Sequence, residues 1–380
     1  MVIRLAIGFL IILLIISGCA AESELEPTPE PLASFWARAE PAIADRRYGE
    51  AVEILEQAVV LYPEQTTLLL KIGQIYLIQH RWRLAEDAFN RAIAGGGASA
   101  AASAGLAEAW LNQGELIKAR QMWQQAAALD PDLPGVFTGL GRTHLRLFEF
   151  EAAQAAFLEQ QTHTPDFEAD WYLATLTAPS DIKLGLSYLQ SIPTPGDNGA
   201  PPIAESLLSR RDYLHQTLAP FSSSSAQADV AKAIGVALVQ VEQWPLAIHA
   251  LRLAVADNPI DQAQDAEAVA FLAHALGQAG KPALDLFEQA RHLDPESALP
   301  LYFQGIYLRQ QGAFKAAEEK LLRAIELDPD NAAIHAEMGR ISEQAGNLTL
   351  AEAWYLAAIE VSDQEFAFQR LLLRFYANRS

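Results

Sequence analysis

Few side chains in this 380-residue chain stand where chemistry would need them. The eight histidines, at positions 80, 144, 163, 215, 249, 274, 292 and 335, are scattered with no i, i+4 pair. A bound zinc asks for several ligands at short helical or loop spacing, and that spacing is missing. Gly95-Gly96-Gly97 is not followed by the Gly-Lys-Ser/Thr that completes a phosphate-cradling loop. There is no GxSxG elbow and no HExxH pair. The sequence therefore offers no catalytic residue, no metal ligand and no cofactor site, and the expectation is that the protein is not an enzyme. One reactive group has a distinctive address: Cys19, the only cysteine, follows Ser17-Gly18 at the end of an apolar run.

That run is Leu5–Ile16, preceded by the positive Arg4. A positive residue, a short apolar stretch and small residues before a cleavage point make a secretory signal layout. The run is well short of the roughly 20 residues a membrane-spanning helix needs. Residues 1–18 resemble a bacterial lipoprotein signal peptide with its lipobox. The resemblance implies cleavage before Cys19 and lipidation of the new N-terminal cysteine. It places the chain outside the cytoplasm, lipid-anchored to the cell membrane, or to an outer membrane if the host has one. Two or more acyl chains hold a protein stably at a bilayer, whereas one is marginal. With no second cysteine there is no intrachain disulfide, so the fold rests on packing. Residues 19–31 are rich in Pro and Glu without apolar period and read as a tether.

Lys and Arg number 27 against 47 Asp and Glu, a net charge of −20. Such a surface repels nucleic acid. With 51% hydrophobic residues the chain has ample material for a core.

Periodicity organises the rest. From Thr66, the residues Leu69, Ile72, Gly73, Tyr76, Ala85, Phe89 and Ala92 mark out a 34-residue unit. The pattern returns from Ala100 (Leu106, Trp110, Gly114, Ala119, Trp123, Ala126) and from Pro134 (Phe137, Leu140, Gly141, Ala153, Phe157). Ala228, Ala266, Ala298 and Ala332 open further copies, and a weaker one starts at Leu32. Small residues at the eighth, twentieth and twenty-seventh positions let two helices approach, and large apolar residues fill the space between them. Asp-Pro pairs such as Asp328-Pro329 stop the second helix. This pattern resembles the tetratricopeptide repeat. The resemblance implies an all-α, right-handed α-solenoid of about eight to nine helix-turn-helix units, each burying its apolar face on its neighbours.

The expected organisation is an N-terminal repeat block at 32–191, a Pro/Gly/Ser-rich insert with one helix at 192–227, a C-terminal repeat block at 228–365 and a capping helix at 366–380. The 266–297 copy is shortened at its Gly280-Lys281-Pro282 turn. The insert reads either as a surface loop in a worn repeat or as a hinge.

In the tetratricopeptide family the first helix of each unit lines an inner wall that binds partner segments. Carried onto this chain, the wall includes Trp36, Lys71, Gln74, Glu108, Arg142, Lys232, His274, Tyr302, Arg309 and Arg340. Tyr302, Arg309 and Arg340 are expected to contact a partner, Tyr and Arg being the residue types that dominate interface energetics. The Lys/Asn/Arg combination with which chaperone-binding members clamp a carboxylate is not assembled. The expected function is a scaffold or assembly adaptor in the cell envelope. It would hold protein or peptide segments in the groove and the membrane through lipidated Cys19, with no nucleic acid. A passive or self-associating structural component, and a small-ligand receptor or enzyme using groove carboxylates, are the alternatives.

Overall fold

The computed structural model describes residues 30–96, 99–193, 205–256, 265–362 and 365–378. The leader, Cys19, the tether through residue 29, residues 194–204 and Pro259 lie outside the described residues. Among the described residues every regular element is an α-helix.

The chain divides at Ala98/Ser99 into two compact units. The first holds α1 (Leu32–Ala44), α2 (Tyr48–Leu61), α3 (Thr66–Ile78) and α4 (Trp82–Gly96). The second begins with α5 (Ala100–Gln113), α6 (Leu116–Leu129), α7 (Val136–Arg146), α8 (Phe150–His163), α9 (Phe167–Thr177) and α10 (Ile182–Ser191). It continues through α11 (Glu205–Leu218), α12 (Gln227–Gln240), α13 (Trp244–Ala256), α14 (Ala266–Gln278), α15 (Leu284–Leu293) and α16 (Leu299–Gln310). It ends with α17 (Phe314–Leu327), α18 (Ala332–Gln344), α19 (Leu348–Val361) and α20 (Phe366–Ala377).

One contact recurs in five of the nine described helix pairs. A glycine on the first helix lies against a large side chain 16 residues later on the second. A Cβ on Gly73 would sit 2.7 Å from the Phe89 ring, on Gly141 2.5 Å from Phe157, and on Gly235 2.4 Å from Leu251. The same holds for Gly305 on Leu321 at 2.5 Å and Gly339 on Tyr355 at 2.6 Å. Phe89, Phe157 and Tyr355 are at most 2% exposed. Each such burial contributes roughly 1.5–3 kcal/mol, and the missing side chain makes it possible.

In every described pair but α9/α10, the turn joining the two helices has its own marker, one residue in the left-handed region. It is Arg46 (φ 59°), His80 (57°), Gly114 (84°), Phe148 (62°), Glu242 (57°), Gly280 (70°), Gly312 (74°) and Gly346 (79°). The backbone needs this conformation to reverse in so few residues, and four of the eight positions adopt it without glycine. After Gly280, α15 has only 10 residues where α17 has 14, the structural form of the shortened copy.

The first unit packs around Phe35, Leu55, Leu68 and Ile72. In the second, one continuous core runs from Leu145 to Ile306. The insert helix α11 is part of it through Leu207, Leu214 and Leu218. Arg211, 9% exposed, fastens α11 by donating to the Ile192 and Pro193 carbonyls at 3.1 and 2.8 Å. Beyond the insert the chain returns to the repeats before it. His249 of α13 lies 3.3 Å from the Leu176 carbonyl and its ring centroid 4.8 Å from that of Phe150, while Lys281 stands 4.8 Å over Phe148. No helix among the described residues is long and apolar enough to cross a membrane.

Candidate functional site

In the first unit, Trp36 and Glu40 on α1 and Leu70, Lys71 and Gln74 on α3 line an open cavity of about 380 Å³. Trp36 and Lys71 are half-buried and Gln74 is exposed. The 34-residue register puts these side chains on the same face of successive first helices. The cavity has an apolar floor with polar groups at its edge, a form suited to holding a side chain while reading its neighbours. Lys71 makes no ion pair with a described residue.

In the second unit the mapped wall residues are largely engaged with one another. Arg142 of α7 meets Glu108 of α5 at 3.2 Å. Burial works against the Arg142 charge, but the Glu108 carboxylate, with Tyr172 and Glu168, outweighs it and holds the guanidinium above its ordinary value. Arg146 donates to the Leu111 carbonyl. Burial and the neighbouring Arg142 lower its pKa. Together with Tyr172 and Leu246 these side chains border a cavity of about 170 Å³. Lys232 bridges Asp265 at 2.7 Å and Glu267 at 3.2 Å, and its hydrogen bond to Asp265 is the main cause of its raised pKa.

His274 stacks on Phe303, centroids 4.1 Å apart, with the edge of Trp244 at 5.9 Å. Burial lowers its pKa to about 4, so the ring is neutral at neutral pH.

Tyr302, Arg309 and Arg340 converge, as their register demands, but on a residue of the chain itself. Glu337 of α18 is 0% exposed; Arg309 of α16 donates to one of its oxygens and Arg340 to the other at 2.8 Å. Burial, then the Glu337 charge, pushes the Tyr302 hydroxyl up to about 12. The two guanidiniums neutralise a carboxylate that has lost its water. Glu337 stands at the sixth position of its unit, on the first helix, and that register gives no sign of its burial. Phe303 and Ile306, on the same helix as Tyr302, are buried at 7% and 8% exposure. Cys19 lies outside the described residues.

Among the described residues no group of three or more His, Cys, Asp or Glu is placed to hold a metal ion.

Comparison with known proteins agrees with the architecture. A tetratricopeptide repeat family profile matches residues 37–94, 70–134, 272–332 and 302–365, together just over half of the chain. No curated protein sequence matches. Among solved structures, MamA is similar at 16% identity and TM-score 0.37, over 47% of this chain and 96% of that one. The Cut9 and Hcn1 hetero-tetramer of APC/C gives 14% identity and TM-score 0.36 over 92% and 84%. A tetratricopeptide repeat protein from Parabacteroides merdae gives 13% identity and TM-score 0.36 over 84% and 98%. The family is typically one of non-enzymatic scaffolds, and its fold supports protein–protein interaction. With its helix pairs, its glycine contacts and its matched segments in both units, the chain belongs to the tetratricopeptide repeat family.

Proposed function

We propose that the chain is a membrane-anchored, extracytoplasmic scaffold that receives a segment of a partner protein in the groove of its first unit. The observation that carries this is the joining of Trp36, Lys71 and Gln74 in one open cavity on consecutive first helices. The partner segment places an apolar side chain against Trp36 and Leu70 and an acceptor near Lys71. A preformed helical wall binds with little ordering of its own, so the binding free energy is not spent on folding. The sequence around Cys19 supports lipid attachment, which would confine the groove to a surface and raise the effective concentration of partners there. No residue has a catalytic role in this reading.

Two experiments test the two parts. Metabolic labelling with radioactive palmitate should mark the wild type and not Cys19→Ser, and only the wild type should sediment with membranes. An unlabelled wild type, or a Cys19→Ser variant that remains membrane-bound, refutes the anchor. Capture from solubilised native membranes, with wild type beside Lys71→Glu/Trp36→Ala, should enrich one or two proteins that the variant loses. Equal enrichment by both refutes the groove.

A further inference from the structure

The last described helix presents a face that the repeat does not use. α20 packs on α18 and α19, and Phe375, with Leu371 and Leu372 beside it, seats it against Ala351 and Tyr355. The opposite face carries Phe366 and Leu373, seven residues apart and so in line along the helix. They are 66% and 63% exposed, two of the three most exposed large apolar side chains among the described residues. The third, Val60, belongs to the other unit. A helix that closes a repeat array is normally polar on the side it turns outward. α20, expected from the sequence to be the cap, is apolar there.

The charges around that face have one sign. Residues 366–380 contain three arginines and no Lys, Asp or Glu, in a chain of net charge −20. Arg370 lies one turn from Phe366, its guanidinium 5.4 Å from the ring centroid. Arg374 follows one turn later at the edge of the face, near enough to the Tyr355 hydroxyl to act on its pKa. Both arginines are exposed, and neither forms an ion pair with a described residue. Of the nearby carboxylates, Glu352 of α19 accepts from the Tyr376 hydroxyl, while Glu360 and Glu365 are exposed and pair with neither arginine.

We propose that this face of α20 docks on an anionic bilayer. Phe366 and Leu373 enter the boundary between head groups and acyl chains, and Arg370 and Arg374 reach out to the phosphates. Tyr376, 41% exposed at the other edge, is of the residue type that settles at that boundary. The arginines decide between a bilayer and a second copy of the chain. Two copies meeting face to face would set arginine against arginine, and a head-to-tail contact onto the acidic surface elsewhere would leave one such face open on every assembly that did not close. The chain's negative charge does not oppose the contact at a distance, because charges more than about 8 Å away are largely screened at physiological salt. The contact is additional to any lipid on Cys19 and does not depend on it.

The test uses the full chain carrying Cys19→Ser and Leu373→Cys, labelled at position 373 with the environment-sensitive dye nitrobenzoxadiazole. The vesicles are phosphatidylcholine alone, or phosphatidylcholine and phosphatidylglycerol in equal parts. The apolar leader can bring the chain to either vesicle, so the readout is the environment of position 373 and not sedimentation. Emission should rise and shift to the blue on the mixed vesicles, and respond at least tenfold more weakly to phosphatidylcholine alone. A dye at Gln57, exposed on α2, should respond to neither. Each basic residue near an anionic surface contributes about fivefold to partitioning, so Arg370→Gln/Arg374→Gln should raise the lipid needed for half the response at least tenfold. Phe366→Ser should raise it severalfold. The substituted side chains are exposed, and the variants should keep the circular dichroism of the parent chain. No response on mixed vesicles, an equal response on phosphatidylcholine alone, or a response that the double arginine variant leaves unchanged overturns the proposal. So does a blue shift that grows with protein concentration before lipid is added, which would assign the face to a second copy.

Discussion

Removing Arg309 isolates the strongest electrostatic commitment in the fold. Glu337 is 0% exposed, and its two oxygens are held by Arg309, itself only 16% exposed, and by Arg340 at 36%. Deleting one partner of a buried ion pair costs about 3–5 kcal/mol, because the remaining charge is left without water or counter-charge. Arg340 survives in Arg309→Ala, so the lower end applies, about 3 kcal/mol. Arg340 sits nearer solvent, where water replaces part of what it gives, and Arg340→Ala should cost only about 1 kcal/mol. Replacing the pair together, as Arg309→Met/Glu337→Met, should return stability to within about 1 kcal/mol of wild type, since no charge is then stranded. The assay is urea unfolding by circular dichroism, with hydrogen exchange of the α18 amides because repeat arrays open locally and need not unfold in two states. A change below about 0.5 kcal/mol in Arg309→Ala, or a larger loss in Arg340→Ala, refutes the reasoning. The same physics governs a triple alanine variant at Tyr302, Arg309 and Arg340. It would lose the C-terminal repeats before it reported on binding.

Other expectations follow from the same structure. Burial holds His274 at about 4, against an ordinary 6.5, and lowers His249 as well. The unfolded chain then binds the extra protons, so stability is full above about pH 6.5 and declines as the pH falls toward 4, by about 3 kcal/mol for His274. Urea midpoints across that range should slope downward, and His274→Leu should flatten the slope. Gly185→Ala would put a Cβ 2.4 Å from the Ala178 methyl and 2.7 Å from its backbone, which has no rotamer to yield. It should destabilise by about 1–3 kcal/mol, whereas Gly49→Ala, with nothing within 4 Å, should stabilise α2 slightly. His80 holds φ 57° without the freedom of glycine. His80→Gly should therefore raise the melting temperature, and a fall would show that its T-shaped contact with Trp82 outweighs the backbone strain.

The repeat was legible because each of its contacts is local. Gly73 and Phe89, or Gly305 and Leu321, lie on adjacent helices at a fixed separation, so the sequence writes the contact twice, once as a small residue and once as a large one. The helix ends at Asp328-Pro329 and the tight turn at Gly280 are written the same way. What the pattern did not carry is how one unit meets another. Arg309 and Glu337 are 28 residues apart on different pairs, and their approach depends on the stacking of α16 on α18. The return of α13 to α7 and α9 was equally hidden, because His249 and Leu176 are 73 residues apart and neither belongs to the repeat's signature. Residues 203–218 read as helix, but nothing in their composition said that Leu207, Leu214 and Leu218 would enter the main core. The groove was half legible. Register alone brings Trp36, Lys71 and Gln74 to one cavity, while in the second unit the same register delivers residues that satisfy each other.

The most direct test of the groove is site-specific photocrosslinking in living cells. A benzoylphenylalanine is placed either at Gln74, which lines the α1/α3 cavity, or at Gln57, exposed on α2 outside it. A discrete adduct from position 74, absent from position 57 and lost when Trp36→Ala is added, is the expected result. Adducts of equal yield from both positions, or an adduct at 74 that Trp36→Ala leaves intact, would contradict a partner segment seated in the groove.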